Sequence, residues 1–379
     1  MSKQRFLPLG MILVLLIAAF PGCAKRPGSA YFFGLHVTDH MELDFAEQFS
    51  VDYYENGYKL ITLGDGSRFL TVPEGADVPA GLDETITPLY QPINNIYLAA
   101  TSAMCLFDAL DRLDAIRLSG TKEDGWYVEN ARTSMREGRI LYAGKYSEPD
   151  YELLLAENAS LAVESMMIGH ASEVKDQLER LGIPVLTDQS SNETHPLGRA
   201  EWIRLYGALL NEEEKAETVF REQVSLLREV EKEQATGKTV AFFYIGTTGR
   251  VVARRTGDYV SKMIGLAGGI YAFSDLGDST SKTSTVTLEM ETFYAAAKDA
   301  DILIYNATIA DSLSTLEDLK QKHALLKDFK AVQNGQVWCT TKSMYQETTA
   351  LGQMIQSLHR IFSDNEKQLD EVPFFYRLK

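Results

Sequence analysis

Cysteine and histidine are both scarce in this 379-residue chain, and their scarcity limits the metal sites that it can build. The three cysteines, Cys23, Cys105 and Cys339, form no CxxC pair and no Cys/His ligand spacing, which argues against a structural zinc site. The six histidines, at positions 36, 40, 170, 195, 323 and 359, do not fall at matching places in the two halves of the chain. A tight site for a free zinc or manganese ion is therefore not expected, and Cys105 and Cys339 are expected to be buried and free.

Basic residues are also in short supply. The chain has 37 Lys and Arg residues against 53 Asp and Glu, which gives a formal net charge of -16. Such a surface repels nucleic acid and anionic lipid. Nucleic-acid binding is therefore excluded, and so is attachment to a membrane through a basic patch.

The common enzyme motifs are missing as well. The chain contains no GxSxG, HExxH, GxGxxG or Walker sequence, and Thr247-Thr248-Gly249 lacks the lysine of a phosphate-binding loop. The sequence thus favours a protein that is not an enzyme. A secreted hydrolase without these motifs stays open as an alternative, as does a purely structural surface protein.

The start of the chain has the pattern of a secretory signal. Lys3 and Arg5 precede an apolar run, Met11–Phe20, which is too short to cross a membrane. The run ends in Phe20-Pro21-Gly22-Cys23, which resembles the lipobox of bacterial lipoproteins, although the first position of that motif is usually Leu. The resemblance implies a signal peptide over 1–22, lipidation of Cys23 and a short tether over 23–30. An ordinary cleaved signal with a chance cysteine is the alternative.

The first folded stretch reads as antiparallel hairpins. Phe45–Tyr53 and Tyr58–Leu63 are rich in aromatic and β-branched residues, and Asn56-Gly57 between them is a strong turn signal. A second Gly-rich turn leads to Phe69–Val72.

From residue 94 strands and helices alternate, which implies a parallel sheet covered by helices. The predicted strands of this half are Asn95–Ala99, Arg139–Ala143, Leu161–Ser165 and Pro184–Leu186. The predicted helices are Met104–Leu113, one beginning at Ser147 as its cap, and one beginning at Ser172.

Residues 197–234 are helical without a strand, and alternation then returns. Asn211, with Glu214 three residues later, reads as a helix cap inside this stretch. The second half has strands at Thr239–Ile245, Asp301–Asn306 and Gln336–Thr340. The sequence therefore predicts an α/β protein with lobes over 31–196 and 235–379, bridged by the helical segment 197–234.

Two α/β lobes joined by a long rigid helix on a lipidated chain resemble the class III substrate-binding proteins of ABC importers. The most specific similarity lies in Tyr146–Trp202, where Leu181-Gly182-Ile183-Pro184-Val185 looks like a common strand entry of that family. Gly268-Gly269 and Thr292–Asn306 match in the second lobe. The resemblance covers roughly residues 90–362, and 31–89 match only loosely.

The family binds its ligand between the lobes, at loops that follow the carboxyl ends of the strands, in agreement with the general rule for open α/β sheets. Aromatic and Met surfaces with a few cations suit a large, partly apolar, anionic ligand. The candidate contact residues in the first lobe are Thr101, Ser102, Lys145, Tyr146, Met166, Met167 and His170. In the second lobe they are Tyr244, Thr247, Thr248, Arg254, Arg255, Asn306, Thr308, Met344 and Tyr345.

Several of these residues have ordinary structural interpretations. Arg254 and Arg255 are adjacent and cannot both face one side of a strand, so one of them is expected to contact ligand. The plain alternative for each arginine is a surface ion pair, given the excess of acidic residues. His170 either ligates a metal centre or, as we favour, is a surface or capping residue.

The resemblance also implies a partner, the ABC permease with its ATPase, to which these proteins dock through one acidic residue per lobe. Glu152 and Glu291 stand at matching places, each near the start of a helix that leads into a central strand, and Glu289 competes for the second role. The plain alternative is that both acids only favour the positive end of a helix, worth roughly 0.3–1 kcal/mol each.

The implied function is an extracytoplasmic, membrane-anchored, monomeric lipoprotein that delivers a ferric siderophore, haem or cobalamin-like ligand, with no cofactor of its own. A binding protein for a non-metal small molecule also fits these residues.

The lipobox generates the first prediction. Because Cys23 is the only residue expected to carry lipid, Cys23→Ser should release the protein from membranes into the soluble fraction. Membranes washed with salt and carbonate, then probed for the protein, provide the measurement. A variant that stays bound after both washes would contradict the anchor.

Overall fold

The computed structural model describes residues 31–277, 283–365 and 368–379, so the predicted signal peptide, Cys23 and the tether lie outside the described residues. Within these ranges no helix is both long and apolar enough to cross a membrane.

The chain begins with a six-stranded sheet. Asn56 and Gly57 have φ values of 59° and 82°, the left-handed conformation that the predicted hairpin turn requires. The first five strands pair antiparallel, and the sixth is parallel to the fifth. The strands are Tyr31–Phe32 (β1), Leu35–His40 (β2), Phe49–Tyr54 (β3), Lys59–Leu63 (β4), Arg68–Val72 (β5) and Ile86–Tyr90 (β6).

The second unit is the predicted parallel sheet with its helices. Its strands are Ile96–Leu98 (β7), Ile116–Ser119 (β8), Leu141–Tyr142 (β9), Leu161–Ser165 (β12) and Val185–Asp188 (β13), with a small hairpin of Gly144–Lys145 (β10) and Glu148–Pro149 (β11). The helices are Met104–Ala109 (α1), Glu129–Arg136 (α2), Tyr151–Ala156 (α3) and Ser172–Arg180 (α4). The strand order β13-β12-β7-β8-β9 is parallel throughout.

The predicted helix cap at Ser147 is wrong. Ser147 lies at the turn of the β10–β11 hairpin, and the carboxylate of Asp150 caps α3 by accepting from the Leu153 amide at 3.0 Å. Gly144 makes the hairpin possible, because a Cβ there would lie 2.3 Å from the Glu148 carbonyl oxygen.

Two helices, rather than one, join the lobes. Pro196–Leu210 (α5) is followed after two residues by Glu213–Val230 (α6), which packs against it. Asn211 does not begin α6 but closes α5, with a left-handed φ of 60°. Only Arg199 and Arg204 of α5 are not buried, as expected for a helix covered on all sides.

The third unit is a second α/β layer. Its strands are Thr239–Ile245 (β14), Val251–Arg254 (β15), Ile270–Tyr271 (β16), Thr285–Leu288 (β17), Ile302–Tyr305 (β18), Val337–Thr340 (β19), Glu371–Val372 (β20) and Phe375–Arg377 (β21). Its helices are Tyr259–Leu266 (α7), Met290–Ala297 (α8), Leu316–Lys322 (α9), Lys330–Gln333 (α10) and Leu351–Ser363 (α11). The order is β17-β15-β14-β18-β19-β21-β20, with β16 also beside β14.

This second sheet is mixed, not purely parallel. β15 forms a hairpin with β14 and runs antiparallel to it, so Arg254 and Arg255 do not follow a strand that ends at the edge where β14, β18 and β19 end. The prediction of two separate α/β lobes is confirmed, because no described strand pairs across the two sheets.

One apolar core runs through the whole molecule. It includes Phe49 of the N-terminal sheet, Leu98 of the first lobe, Trp202 of α5 and Phe242 of the second lobe. Separate clusters cover the far faces of the three sheets. Cys105 and Cys339 are buried free thiols, as predicted.

Two buried carboxylates hold the N-terminal sheet to α5. Glu201 accepts hydrogen bonds from the backbone amides of Asp44, Phe45 and Ala46, each at 2.8 Å. Glu193 accepts the amide of Gln48 at 2.9 Å.

These carboxylates are also bound from α5 itself. The indole N–H of Trp202 donates to Glu193 at 3.0 Å, and Arg204 donates to Glu201 at 2.9 Å. Gly198 lets the segment approach, since a Cβ there would lie 2.9 Å from the Phe45 carbonyl oxygen. We call this set of contacts, between Glu193 or Glu201 and residues 44–48, the carboxylate clamp.

A third buried acid has no such support. Glu164 of β12 is fully buried, and neither of its carboxyl oxygens has a hydrogen-bond partner among the described residues. Burial raises the pKa of Glu164 to about 8.

The carboxylate clamp yields a stability prediction. Glu201→Gln replaces one acceptor oxygen with an NH₂ group that faces backbone amides, so the free energy of unfolding should fall by about 3 kcal/mol. Urea unfolding measures this loss, and Glu214→Gln, an exposed position on α6, is the matched control. A loss no larger than that of the control would contradict the role of the clamp.

Glu164 yields a pH prediction. Between about pH 4.5 and 8 the folded protein keeps the proton while the unfolded chain has lost it, so stability falls as pH rises through this window. Glu164→Gln removes this ionisable group. The free energy of unfolding of the variant, relative to that of the wild type, should therefore increase by roughly 3 kcal/mol as the pH rises from about 5 to 8. Urea unfolding across this range tests it, with exposed Glu173→Gln as control; a gain that does not change with pH would contradict it.

Candidate ligand cleft

The strand-end loops of the two lobes meet directly. The Gln346 side chain, from the segment after β19, accepts from the Tyr127 amide and donates to the Gly125 carbonyl, both at 2.8 Å. The hydroxyl of Thr348 donates to the Ser102 carbonyl at 3.0 Å. Loops after the carboxyl ends of β7, β8 and β19 therefore meet at one boundary, and we take the space between the lobes at this boundary as the candidate cleft.

Three of the predicted contact residues come together on the wall formed by the second lobe. Arg254 and Asn306 both donate to the phenol oxygen of Tyr345, Asn306 at 2.9 Å. Burial is the main cause of a raised pKa at Tyr345, so the phenol keeps its hydrogen. Since the oxygen already accepts two bonds, this O–H is a donor for a third group.

Arg254 is the last residue of β15, the strand between β14 and β17, and its side chain reaches this cluster. Its guanidinium is buried, lies 4.9 Å from the Tyr345 ring centre and 5.9 Å from that of Tyr259, and has the nearest carboxylate, that of Asp258, at 3.8 Å. The Asp258 carboxylate also caps α7 through the Val260 amide. The cation is thus surrounded mainly by aromatic rings and neutral dipoles, which suits the approach of an oxygen acceptor.

Arg199 belongs to the same region and was not predicted. Its guanidinium lies 3.7 Å from the Tyr259 ring centre and donates to the Ser191 carbonyl at 2.6 Å. It therefore links the loop after β13, α5 and α7. Its place in the first turn of the predicted linking helix was the only sequence signal available.

Exposed apolar side chains line the loops that follow the strands. Met166 and Met167, both predicted, are 40% and 48% exposed. Tyr142, the last residue of β9, is similarly exposed, as are Tyr127 in the connection after β8 and Ile309 in the loop after β18; none of the three was predicted. Tyr142 lies one residue before the end of the predicted strand Arg139–Ala143, so its position could have been inferred.

The other predicted residues are spread around these groups. Thr101, Lys145, His170, Thr247 and Thr248 are exposed, and Lys145 pairs with Glu148 at 3.6 Å. Ser102, Tyr146, Tyr244, Arg255 and Thr308 are half-buried. Met344 lies in the apolar core, and the next residue, Tyr345, provides the polar contact instead.

Two other grooves, of about 480 Å³ each, lie away from these loops. One separates β5 and β6 from α4 and β13, and the other separates β2 and β3 from α5 and α6. Both follow the seam between the N-terminal sheet and the rest of the molecule. Among the described residues, no group of three or more His, Cys, Asp or Glu side chains is placed to hold a metal ion.

Solved structures share this fold. The periplasmic haem-binding protein of Vibrio cholerae is 17% identical, with a TM-score of 0.57, over 70% of this chain and 98% of that one. The periplasmic vitamin B12-binding protein of the same organism is 16% identical, with a TM-score of 0.51, over 72% and 98%. An ABC transporter substrate-binding protein of Listeria monocytogenes is 15% identical, with a TM-score of 0.53, over 71% and 98%.

Relatives from an archaeon cover more of the chain. One uncharacterized lipoprotein of Methanocaldococcus jannaschii is 23% identical over 90% of this chain and 89% of its own length. A second is 24% identical over 98% of both. These proteins match much more of the chain than the solved structures do.

The sequence pattern of the family described as periplasmic binding protein matches residues 107–344. That segment holds the cleft loops from Tyr127 to Asn306, and the N-terminal sheet lies outside it. Since the match spans more than half of a chain that also has the two-lobed fold, the protein belongs to the periplasmic binding protein family.

Proposed function

We propose that this protein is the extracytoplasmic solute-binding lipoprotein of an ABC importer, and that it delivers an iron complex, either a ferric siderophore or haem, or a cobalamin-like ligand. The observation that carries the proposal is the cluster of Arg254, Asn306 and Tyr345 in the second lobe. In the first lobe, Met166 and Met167 are exposed directly after the end of β12. A buried cation and a phenol O–H suit acceptor oxygens of a ligand, and the methionines suit its apolar surface.

Similar proteins support the ligand class. Two of the solved structures with this fold are described as binding haem and vitamin B12, both large metal complexes. The anchor at Cys23 belongs to the same proposal, and relatives of nearly the same length are named lipoproteins.

Docking on a permease is the second part of the proposal. Glu152 and Glu291 are each the second residue of a helix, in α3 and α8, and both are exposed. Each helix leads into a central strand of its lobe, β12 or β18. Glu289 instead pairs with Arg250 at 2.8 Å, which favours Glu291 as the docking residue.

Binding is tested by titrating the protein with haem, cyanocobalamin, ferrichrome and ferrioxamine B while recording tryptophan fluorescence and the visible spectrum. At least one complex should bind saturably. Tyr345→Phe should weaken that binding about tenfold, because it removes one hydrogen bond to the ligand, worth about 1.4 kcal/mol.

Tyr58→Phe is the matched control, since the Tyr58 hydroxyl donates to the Asp77 carbonyl in the N-terminal sheet, and its affinity should be that of the wild type. No saturable change with any of the four complexes would require another ligand class. Turnover of an ester or glycoside by the purified protein would support a hydrolase instead.

Docking is tested with the double variant Glu152→Arg and Glu291→Arg. It should bind the complex identified above with unchanged affinity and fail to support uptake in cells, because arginines would now face the cations expected on the permease. The control makes the same charge change at exposed Glu222 and Glu371 and should transport normally. Normal uptake by the Glu152 and Glu291 variant would reject the assignment.

A further inference from the structure

The buried acid Glu164 lies at the edge of the cleft. It is the last residue but one of β12, and the exposed Met166 and Met167 follow two and three residues later. By strand alternation its side chain shares a face with Ala162, which is paired with Tyr97 of β7. Glu164 therefore sits beneath the loops of the first lobe, on the face that α3 and α4 cover.

Nothing among the described residues compensates this carboxyl group. The hydroxyl of Tyr97, a nearby polar group, donates to the Gly144 carbonyl at 2.9 Å. The cross-strand neighbour of Glu164 on β13 is Thr187, which is uncharged.

The charged and titratable groups of the surrounding elements have other roles. Tyr97 and Tyr151 both interact electrostatically with Glu164. Their pKa values are raised, chiefly through burial. Glu173 and Arg180 of α4 act on Tyr151, and Lys145 of the β10–β11 hairpin pairs with Glu148. A buried carboxyl group without a hydrogen-bond partner lowers the stability of the fold. An acid of this kind beside a cleft therefore suggests that a donor outside the protein binds it.

The cover over this part of the lobe is weakly held. The 3₁₀ turn Met166–His170 buries only Ile168. The hydrogen bonds that hold it are one from the Ala171 amide to the Ile168 carbonyl at 2.9 Å, one from the Met167 amide to the Ser165 hydroxyl at 3.3 Å, and a long one from Asn192 to the Met166 sulfur at 3.8 Å. Segments with so few buried contacts open at low free-energy cost.

We propose that Glu164 is a concealed acceptor site in the cleft wall, which receives an N–H cation of the ligand, such as a primary ammonium group, when the Met166–His170 turn lifts. The inference rests on the proposed function, in that it gives the ligand a cationic group opposite the acceptor oxygens that Arg254 and Tyr345 bind. An N–H cation is the chemistry that satisfies both needs of a buried carboxylate, the missing donor and the missing charge.

Two probes of equal charge test the chemistry without the natural ligand. Thermal unfolding is recorded at about pH 8, where the carboxyl group titrates, in equal concentrations of methylammonium chloride and tetramethylammonium chloride. Only methylammonium has N–H donors, so it should raise the unfolding temperature of the wild type more than tetramethylammonium does. The difference should vanish in Glu164→Gln and persist in the control Glu173→Gln. Equal responses of the wild type and Glu164→Gln would overturn the proposal.

Hydrogen exchange tests whether the cover opens. After correction for the intrinsic effect of pH, the amides of Met166–His170 should lose protection in the wild type as pH rises from about 6 to 9, because ionisation of Glu164 favours the lifted turn. Glu164→Gln should show no such change, and a wild-type turn that stays equally protected would overturn the proposal. Neither measurement needs a metal complex, so its outcome is distinct from failure of the four complexes to bind.

Discussion

The fold depends on two buried carboxylates that accept hydrogen bonds from backbone amides. Glu193 and Glu201 flank the first turns of α5 and accept hydrogen bonds from the segment 44–48, which has no regular structure of its own. Unpaired, these amides and carboxylates would be costly to bury. Paired, they fix the N-terminal sheet on α5, and the same helix carries Arg199 to Tyr259 in the second lobe. One buried helix thus contacts the N-terminal sheet and both lobes.

The sequence predicts local structure well where hydrophobic pattern and turn chemistry agree. Leu161–Ser165 and Thr239–Ile245 have the bounds predicted for them, and the hairpin at Asn56-Gly57 forms as expected. In each case the interactions that determine the structure act between residues close in sequence, so a single amino-acid sequence is enough to predict it.

The sequence predictions were incomplete or wrong where a residue distant in sequence determines the local structure. Asn211 has the composition of a helix cap, but Lys59 of β4 donates to its side chain at 2.8 Å and it closes α5 instead. Arg254 does end a strand, as expected, but β15 runs antiparallel to β14, a direction that was not predicted, and the side chain meets Tyr345, 91 residues later in the chain. Arg254, Asn306 and Tyr345 could be proposed as candidates, but their convergence on one phenol oxygen depends on packing that no local pattern reports.

The central claim is that the cleft holds a small-molecule ligand, and native mass spectrometry of the protein purified gently from its own source tests it most directly. The account predicts one non-covalently bound compound per chain in the wild type, with the mass of a metal complex or tetrapyrrole, and much lower occupancy in Tyr345→Phe. A wild-type protein that carries no small molecule, and gains none on incubation with the soluble extract of its source, would contradict it.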